Sequence, residues 1–319
     1  MGHLMNSLTE YLIKEIENLD EFDGRFSKLK CINYNHNTKE KEGFFSLVFK
    51  AYDNVLDEEV IIKIFDPEHL TDAYRIKCFE RESKILEKVL DKKRCLQLKK
   101  ILSSYSLNFP MANGQFLPYC MNYFATEHLP ISVIVNFYKN DSSLNISTKN
   151  KLMTFRQIVL AIKALHSLDI SHRDLKPDNL RGYYDDIKLI IVAIDLGTAV
   201  HSKLKNIKSN YSAGPVGHMK YSSPESFSGF AGDREIAFYS DFYSLGCLLY
   251  ELFSYNFLYQ EIDKINKKDY FRILKYCNSE MLNVTDKVNK WNELLEQYKR
   301  FIKYPFFDYE TCEIPKALK

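Results

Sequence analysis

The periodicity of the apolar residues changes part-way along this 319-residue chain, and that change constrains the fold more than any other feature. Up to about residue 127 the pattern is mostly that of strands. Phe44-Phe45-Ser46-Leu47-Val48-Phe49 and Val60-Ile61-Ile62-Lys63-Ile64-Phe65 are β-branched and aromatic runs, parted by the turn-like Asp53-Asn54-Val55-Leu56-Asp57. Two more β-prone stretches lie near 100–108 and 118–127, with Pro110, Asn113 and Gly114 between them. Helical spacing interrupts at 7–20, through Leu8, Tyr11, Leu12, Ile16 and Leu19, and again at 71–90, through Tyr74, Phe79, Ile85, Leu86 and Val89. From Lys149 onward helices dominate, over 149–169, 239–257 and 284–303. A strand-rich part followed by a helix-rich part predicts an α+β fold, with the two kinds of element segregated into lobes.

Bulk properties narrow the function classes. A net charge of +2 gives no basic field for nucleic acid or an anionic membrane, so neither partner is expected. The longest clean apolar run, Leu189–Ile194, is far too short to span a bilayer. The first residues lack the basic-then-apolar layout of a signal peptide. Seven cysteines are scattered with no CxxC spacing, and the odd count disfavours a complete disulfide set. Reduced thiols in a cytoplasmic setting are therefore expected.

Three segments carry chemistry. His172-Arg173-Asp174-Leu175-Lys176-Pro177-Asp178-Asn179 is a polar loop that follows an apolar helix. Its residue types suit phosphoryl transfer: one carboxylate accepts a hydroxyl proton, a lysine contacts the moving phosphoryl, and an amide oxygen helps to hold a metal. Asp195-Leu196-Gly197 follows the apolar run Leu189-Ile190-Ile191-Val192-Ala193-Ile194, and a carboxylate delivered by a strand to a turn suits a hard cation such as Mg²⁺. Lys63 closes a β-branched run. Taken singly, the first is a charged surface loop, the second a plain turn and the third a solvated strand position.

In chain order they resemble the eukaryotic-type (Hanks-type) protein kinases of the serine/threonine class, of which this chain looks like a divergent member. His172–Asn179 resembles H-R-D-x-x-x-x-N, Asp195-Leu196-Gly197 resembles D-F-G with Leu for Phe, and Val60–Lys63 resembles V-A-I-K. Ser223-Pro224-Glu225 stands for A-P-E, and Asp241 for the aspartate that anchors the catalytic-loop backbone. The resemblance spans roughly residues 26 to 258. It implies a bilobal kinase fold: an N-terminal extension over 1–23 with a helix, a β-rich N-lobe over 24–127, a hinge at 128–130 and a helical C-lobe over 131–319 with a divergent end.

The resemblance further implies ATP and Mg²⁺, with Mn²⁺ as a substitute, and a protein substrate phosphorylated on serine or threonine, together with autophosphorylation. Asp174 would be the base, Lys176 a phosphate contact, and Asn179 and Asp195 the metal ligands. Lys63 would contact the α- and β-phosphates and pair with Glu82 on the next helix, Glu80 and Glu87 being nearby rivals. Backbone groups of Glu127 and Leu129 would meet adenine, with Thr126 as gatekeeper; a plain strand ending in a helix cap is the competing reading. The activation segment offers Ser202, Ser209, Tyr211 and Ser212 as phosphorylation sites for Arg173 to bind, a merely soluble, mobile loop being the competing reading.

The chain also departs from the pattern. Of three phosphate-loop glycines only Gly43 remains, since Lys41 and Ser46 fall at the other two positions, which predicts a looser phosphate cover. Gly43 and Ser46 are the candidates for phosphate contact. His218 replaces a usual threonine near the base, a small insertion falls around Arg181–Asp186, and Glu225 has no identifiable arginine partner. A pseudokinase binding module, or a small-molecule kinase on the same fold, remains the alternative.

Overall fold

The computed structural model describes residues 3–4, 7–43, 46–110, 115–138, 146–201, 216–227, 237–266, 269–280 and 285–303. The chain divides into two compact units, one of residues 1–92 and 96–128 and the other of residues 93–95 and 129–319. Among the described residues no helix is long and apolar enough to cross a membrane.

The first unit is built on strands. Its elements run β1 (His3–Leu4), α1 (Ser7–Glu17), β2 (Phe26–Cys31), β3 (Tyr34–Asn35), β4 (Glu40–Lys41), β5 (Ser46–Asp53), β6 (Glu58–Phe65), α2 (Ala73–Lys88), β7 (Leu98–Pro110) and β8 (Phe116–Glu127). Five strands form an antiparallel sheet in the order β2-β5-β6-β8-β7, and β1, β4 and β3 form a second, small one. Alternation sets the faces: in β5 Leu47, Phe49 and Ala51 turn into the core while Ser46, Val48 and Lys50 are half-buried. The β5–β6 turn is held by Asp53, which accepts the Val55 and Leu56 N–H groups at 3.0 and 3.2 Å and the Nε and Nη2 groups of Arg25. The segment expected as an extension is part of this core. Leu12, Ile13 and Ile16 of α1 are fully buried among Phe22, Phe26, Leu47, Phe49 and Tyr123, and each such burial contributes about 1.5–3 kcal/mol.

The second unit is mainly helical. It contains β9 (Ile131–Ser132), α3 (Thr148–His166), β10 (Ile170–Ser171), β11 (Leu180–Asp185), β12 (Lys188–Ala193), β13 (Val200–His201), α4 (Pro224–Phe227), α5 (Ala237–Ser254), α6 (Leu258–Ile265), α7 (Tyr270–Glu280) and α8 (Lys287–Phe301). Ser147 caps α3 by accepting the Asn150 N–H at 3.2 Å, and Asp286 caps α8 through the Asn289 N–H at 3.1 Å. Residues 181–186, where an insertion is expected, form the strand β11 beyond Leu180 and the first turn residue; the β11–β12 hairpin is closed by Asp185 opposite Lys188 with Asp186 at φ 53°. Gly182 is required there, because a Cβ would come within 2.8 Å of the Ile190 carbonyl oxygen.

Candidate active site

In the first unit Lys63 lies on β6, opposite Val48 of β5 and Phe124 of β8. Its Nζ is 2.7 Å from Glu82 Oε1, and both side chains are buried. Helix geometry selects Glu82. Cys78, Phe79, Arg81, Glu82, Ser83, Ile85 and Leu86 are the buried residues of α2, whereas Glu80 is half-buried and Glu87 exposed. Asp72 starts that helix by accepting the Tyr74 and Arg75 N–H groups at 3.0 and 3.1 Å.

The phosphate-loop candidates lie between β2 and β5, where the chain forms the β3–β4 hairpin. Gly43 adopts φ +87°, a conformation that favours glycine, and Ser46 starts β5. Asn33 braces this stretch: its Nδ2 donates to the Glu42 and Ser46 carbonyl oxygens at 2.8 and 3.0 Å, and its Oδ1 accepts the Val48 N–H at 2.9 Å. Lys41 is not a loop residue. It lies in β4, only 2% exposed, with its ammonium paired to Asp66. Glycine at 41 would therefore leave Asp66 a buried carboxylate without its cation. Phe44 and Phe45, which open the first β-rich run of the sequence, lie outside the described residues.

Thr126 is buried near the end of β8. The Glu127 N–H donates to the Gln97 carbonyl oxygen at 2.9 Å, and its carboxylate accepts the Gln97 N–H at the same distance. Burial raises the Glu127 carboxyl above its ordinary value despite that bond. Leu129 is buried in the second unit, at the start of its main segment.

The remaining predicted residues converge in the second unit. Asn179 donates its Nδ2 to the Asp174 carbonyl oxygen at 2.8 Å and to Asp174 Oδ2 at 3.1 Å. That orientation leaves the amide oxygen of Asn179 as an acceptor. Lys176 Nζ is 3.7 Å from the same Oδ2, and the His218 N–H donates to Asp174 Oδ1 at 2.7 Å. Asp195 stands at the end of the strand-borne apolar run in the left-handed region, φ 63° and ψ 67°, and Leu196 beyond it is fully buried. Arg173 shares that conformation at φ 66°; non-glycine residues adopt it rarely, and such positions cluster at functional sites.

Asp241 on α5 fixes this loop. Its Oδ2 accepts the His172 N–H at 2.8 Å, Ser171 Oγ at 3.0 Å and His166 Nε2 at 2.8 Å, and its Oδ1 accepts the Arg173 N–H at 2.8 Å. Complete burial alone would push the Asp241 carboxyl up, but the His166 hydrogen bond and the neighbouring histidines hold it below the ordinary range. His172 Nε2 meets the Ile194 carbonyl oxygen at 2.8 Å, and Thr198 Oγ1 donates to the His172 carbonyl oxygen at 3.2 Å, joining the Asp174 and Asp195 segments.

Gly217 packs flush on the same loop. A Cβ there would lie 2.5 Å from the Arg173 carbonyl oxygen and 3.0 Å from Asp174 Oδ1, and its φ is +87°. His218 supplies only its backbone N–H to Asp174; burial, then the charge of Lys176, lowers its imidazole pKa. Glu225 is buried, and its Oε2 has no hydrogen-bond partner among the described residues. Burial raises its carboxyl, with hydrogen bonds from Ser223 and Trp291 offsetting only part.

The model of the protein kinase domain family matches residues 34–306 of this chain. The chain belongs to the protein kinase family. It is 27% identical over 282 residues to the serine/threonine-protein kinase PrkC of Bacillus subtilis, covering 86% of this chain and 38% of that protein. It is 27% identical over 286 residues to human 3-phosphoinositide-dependent protein kinase 1, covering 85% of this chain and 47% of the relative. The chain thus spans less than two thirds of the length of either.

Against the kinase pattern, sequence reasoning missed Asn33, His166, Thr198 and the Lys41–Asp66 pair. His166 alone left a signal, as the last residue of the helix before the catalytic loop. The activation-segment residues Ser202, Ser209, Tyr211 and Ser212 lie outside the described residues. Arg173, their expected receptor, is buried and donates its Nε to the Thr198 carbonyl oxygen at 2.7 Å.

Proposed function

We propose that this kinase domain transfers the γ-phosphoryl group of ATP to serine and threonine hydroxyls of proteins, itself included. The observation that carries the reading is the Asp174–Asn179–Lys176 cluster. One carboxylate is fixed by an amide and a backbone N–H, with an ammonium 3.7 Å away. Positioning and charge neutralisation supply most of the catalysis in such a transfer.

Asp174 orients the acceptor hydroxyl and takes its proton. Lys176 contacts the transferring phosphoryl oxygens, and Lys63, held by Glu82, contacts the α- and β-phosphates. The Asp195 carboxylate and the free amide oxygen of Asn179 are hard oxygen donors that suit Mg²⁺ or Mn²⁺. Bound there, the metal would neutralise phosphate charge. Backbone groups of Glu127 and Leu129 receive the adenine, and Gly43 and Ser46 cover the phosphates. The serine/threonine class rests on Lys176 in the catalytic loop, and the Bacillus subtilis relative carries that class in its name.

The test is incubation of the wild type and of Asp174→Asn with γ-labelled ATP and Mg²⁺, with and without a lysate, followed by mass spectrometry of phosphosites. Label on serine and threonine in the wild type, and its loss in the variant, is expected. No transfer by the wild type, or undiminished transfer by the variant, contradicts the reading.

A further inference from the structure

Three buried residues of the first unit meet at one carboxylate. Asp66 follows β6 directly, three positions beyond Lys63, and is fully buried. Its Oδ1 accepts Thr9 Oγ1 of α1 at 3.0 Å and the Glu68 N–H at 3.1 Å, and its Oδ2 receives the Lys41 ammonium from β4. Thr9 is also fully buried and Lys41 is 2% exposed. Lys41 is cross-paired with Tyr34 on one side and His3 on the other, so β4 is the middle strand of its small sheet. The family match begins at residue 34, so Thr9 and His3 lie outside it, whereas Lys41 and Asp66 lie within it.

A buried ion pair adds little net stability against an apolar alternative, but it fixes one arrangement, because any other leaves a buried charge unpaired. Here it fixes β4 two residues before Gly43, in the stretch that lacks the family's other glycines. We propose that the Thr9–Asp66–Lys41 cluster is the device by which the N-terminal segment holds the phosphate-covering hairpin, with Asp66 as a positioning residue for the ATP phosphates. The inference rests on the ATP reading above. It replaces the glycine-borne adaptability of an ordinary phosphate loop with a preset shape. Asn33 secures the other side of the same stretch through its bonds to Glu42 and Ser46.

A phosphate cover acts on ATP and has no purchase on adenosine, so the ratio of the two affinities separates positioning from general destabilisation. Calorimetric titration of the full chain with ATP–Mg²⁺ and with adenosine measures it. Lys41→Met keeps the aliphatic stem and removes the charge; it is expected to weaken ATP by about tenfold with adenosine unchanged, the order of one charge-assisted hydrogen bond. Thr9→Val, which keeps the shape and leaves folding less at risk, is expected to weaken ATP by about threefold, and Thr9→Ser to restore the wild-type ratio. Equal weakening of both ligands, or an unchanged ratio in both Lys41→Met and Thr9→Val, overturns the proposal while leaving the kinase reading intact. A wild type that binds neither ligand removes the kinase reading, and the proposal with it.

Discussion

Replacing Asp241 by Asn probes the site through a residue that does not touch the reacting atoms. The carboxylate is fully buried and accepts four hydrogen bonds, from His166, Ser171, His172 and Arg173. An amide offers one oxygen. Set at the Oδ2 position it keeps three donors, but its NH₂ then faces the Arg173 N–H. One bond to a charged acceptor is lost, worth about 1.5–3 kcal/mol, and a buried N–H is left unsatisfied at about 1–3 kcal/mol. The variant should therefore lose about 3–5 kcal/mol of stability, in line with breaking a buried charged network. Because the freed amide directly precedes Asp174, a shift of about 1 Å would lower the turnover rate by about 10²-fold. Urea unfolding followed by circular dichroism gives the first quantity, and labelled-phosphate transfer at saturating ATP the second. The pH dependence has a definite sign. Asp241 has a folded pKa below its ordinary value of 3.8, so its stabilisation is present above that value and lost as pH falls through the lower folded pKa. The wild-type advantage over the variant should shrink below about pH 4. A variant with wild-type turnover and an unchanged urea midpoint would refute the assignment of Asp241 as the anchor of the loop.

Gly217→Ala should cut turnover by about 10²-fold with little change in adenosine affinity, since its Cβ would meet the Arg173 carbonyl oxygen and Asp174 Oδ1; wild-type kinetics would show that the loop has room to yield. Glu82→Gln should raise the ATP KM by about tenfold or more, because Lys63 loses the charge 2.7 Å from its Nζ; an unchanged KM would leave the pair a structural one. Glu225→Gln should be neutral or stabilising at pH 7. The folded pKa of Glu225 lies above its ordinary value of 4.5, so the stability it contributes is present below that value and lost as pH rises through the folded pKa. Denaturation midpoints that fall from pH 5 to 8 in the wild type and not in the variant would bear this out, and parallel profiles would not.

The alternation of strands and helices and the identity of the chemical groups are legible in the chain alone. Both follow from short-range rules. Period-2 and period-3.6 patterns report which face of an element is buried, and a loop such as His172–Asn179 carries its functional groups within one turn of chain. The helix α1 was legible in the same way through Leu12 and Ile16, although its membership of the first unit's core was not. Glu82 could be separated from Glu80 and Glu87 only as a favoured spacing; the orientation of α2 made it the buried partner of Lys63.

The rest emerges with the fold, wherever a residue's role depends on a neighbour remote in sequence. Lys41 reads as a failed loop glycine until Asp66, 25 positions further on, is found against it, with Thr9, 57 positions before Asp66, on the same carboxylate. His218 reads as a lost threonine until its backbone N–H is seen on Asp174, 44 residues away. Gly217 lies in the stretch that resembles the end of an activation segment, yet only the fold shows that a Cβ there would meet the Arg173 carbonyl oxygen and Asp174 Oδ1. Burial, hydrogen-bond partners and the room beside a Cβ are set by chain segments that local periodicity cannot see, and so they became legible only when the fold brought those segments together.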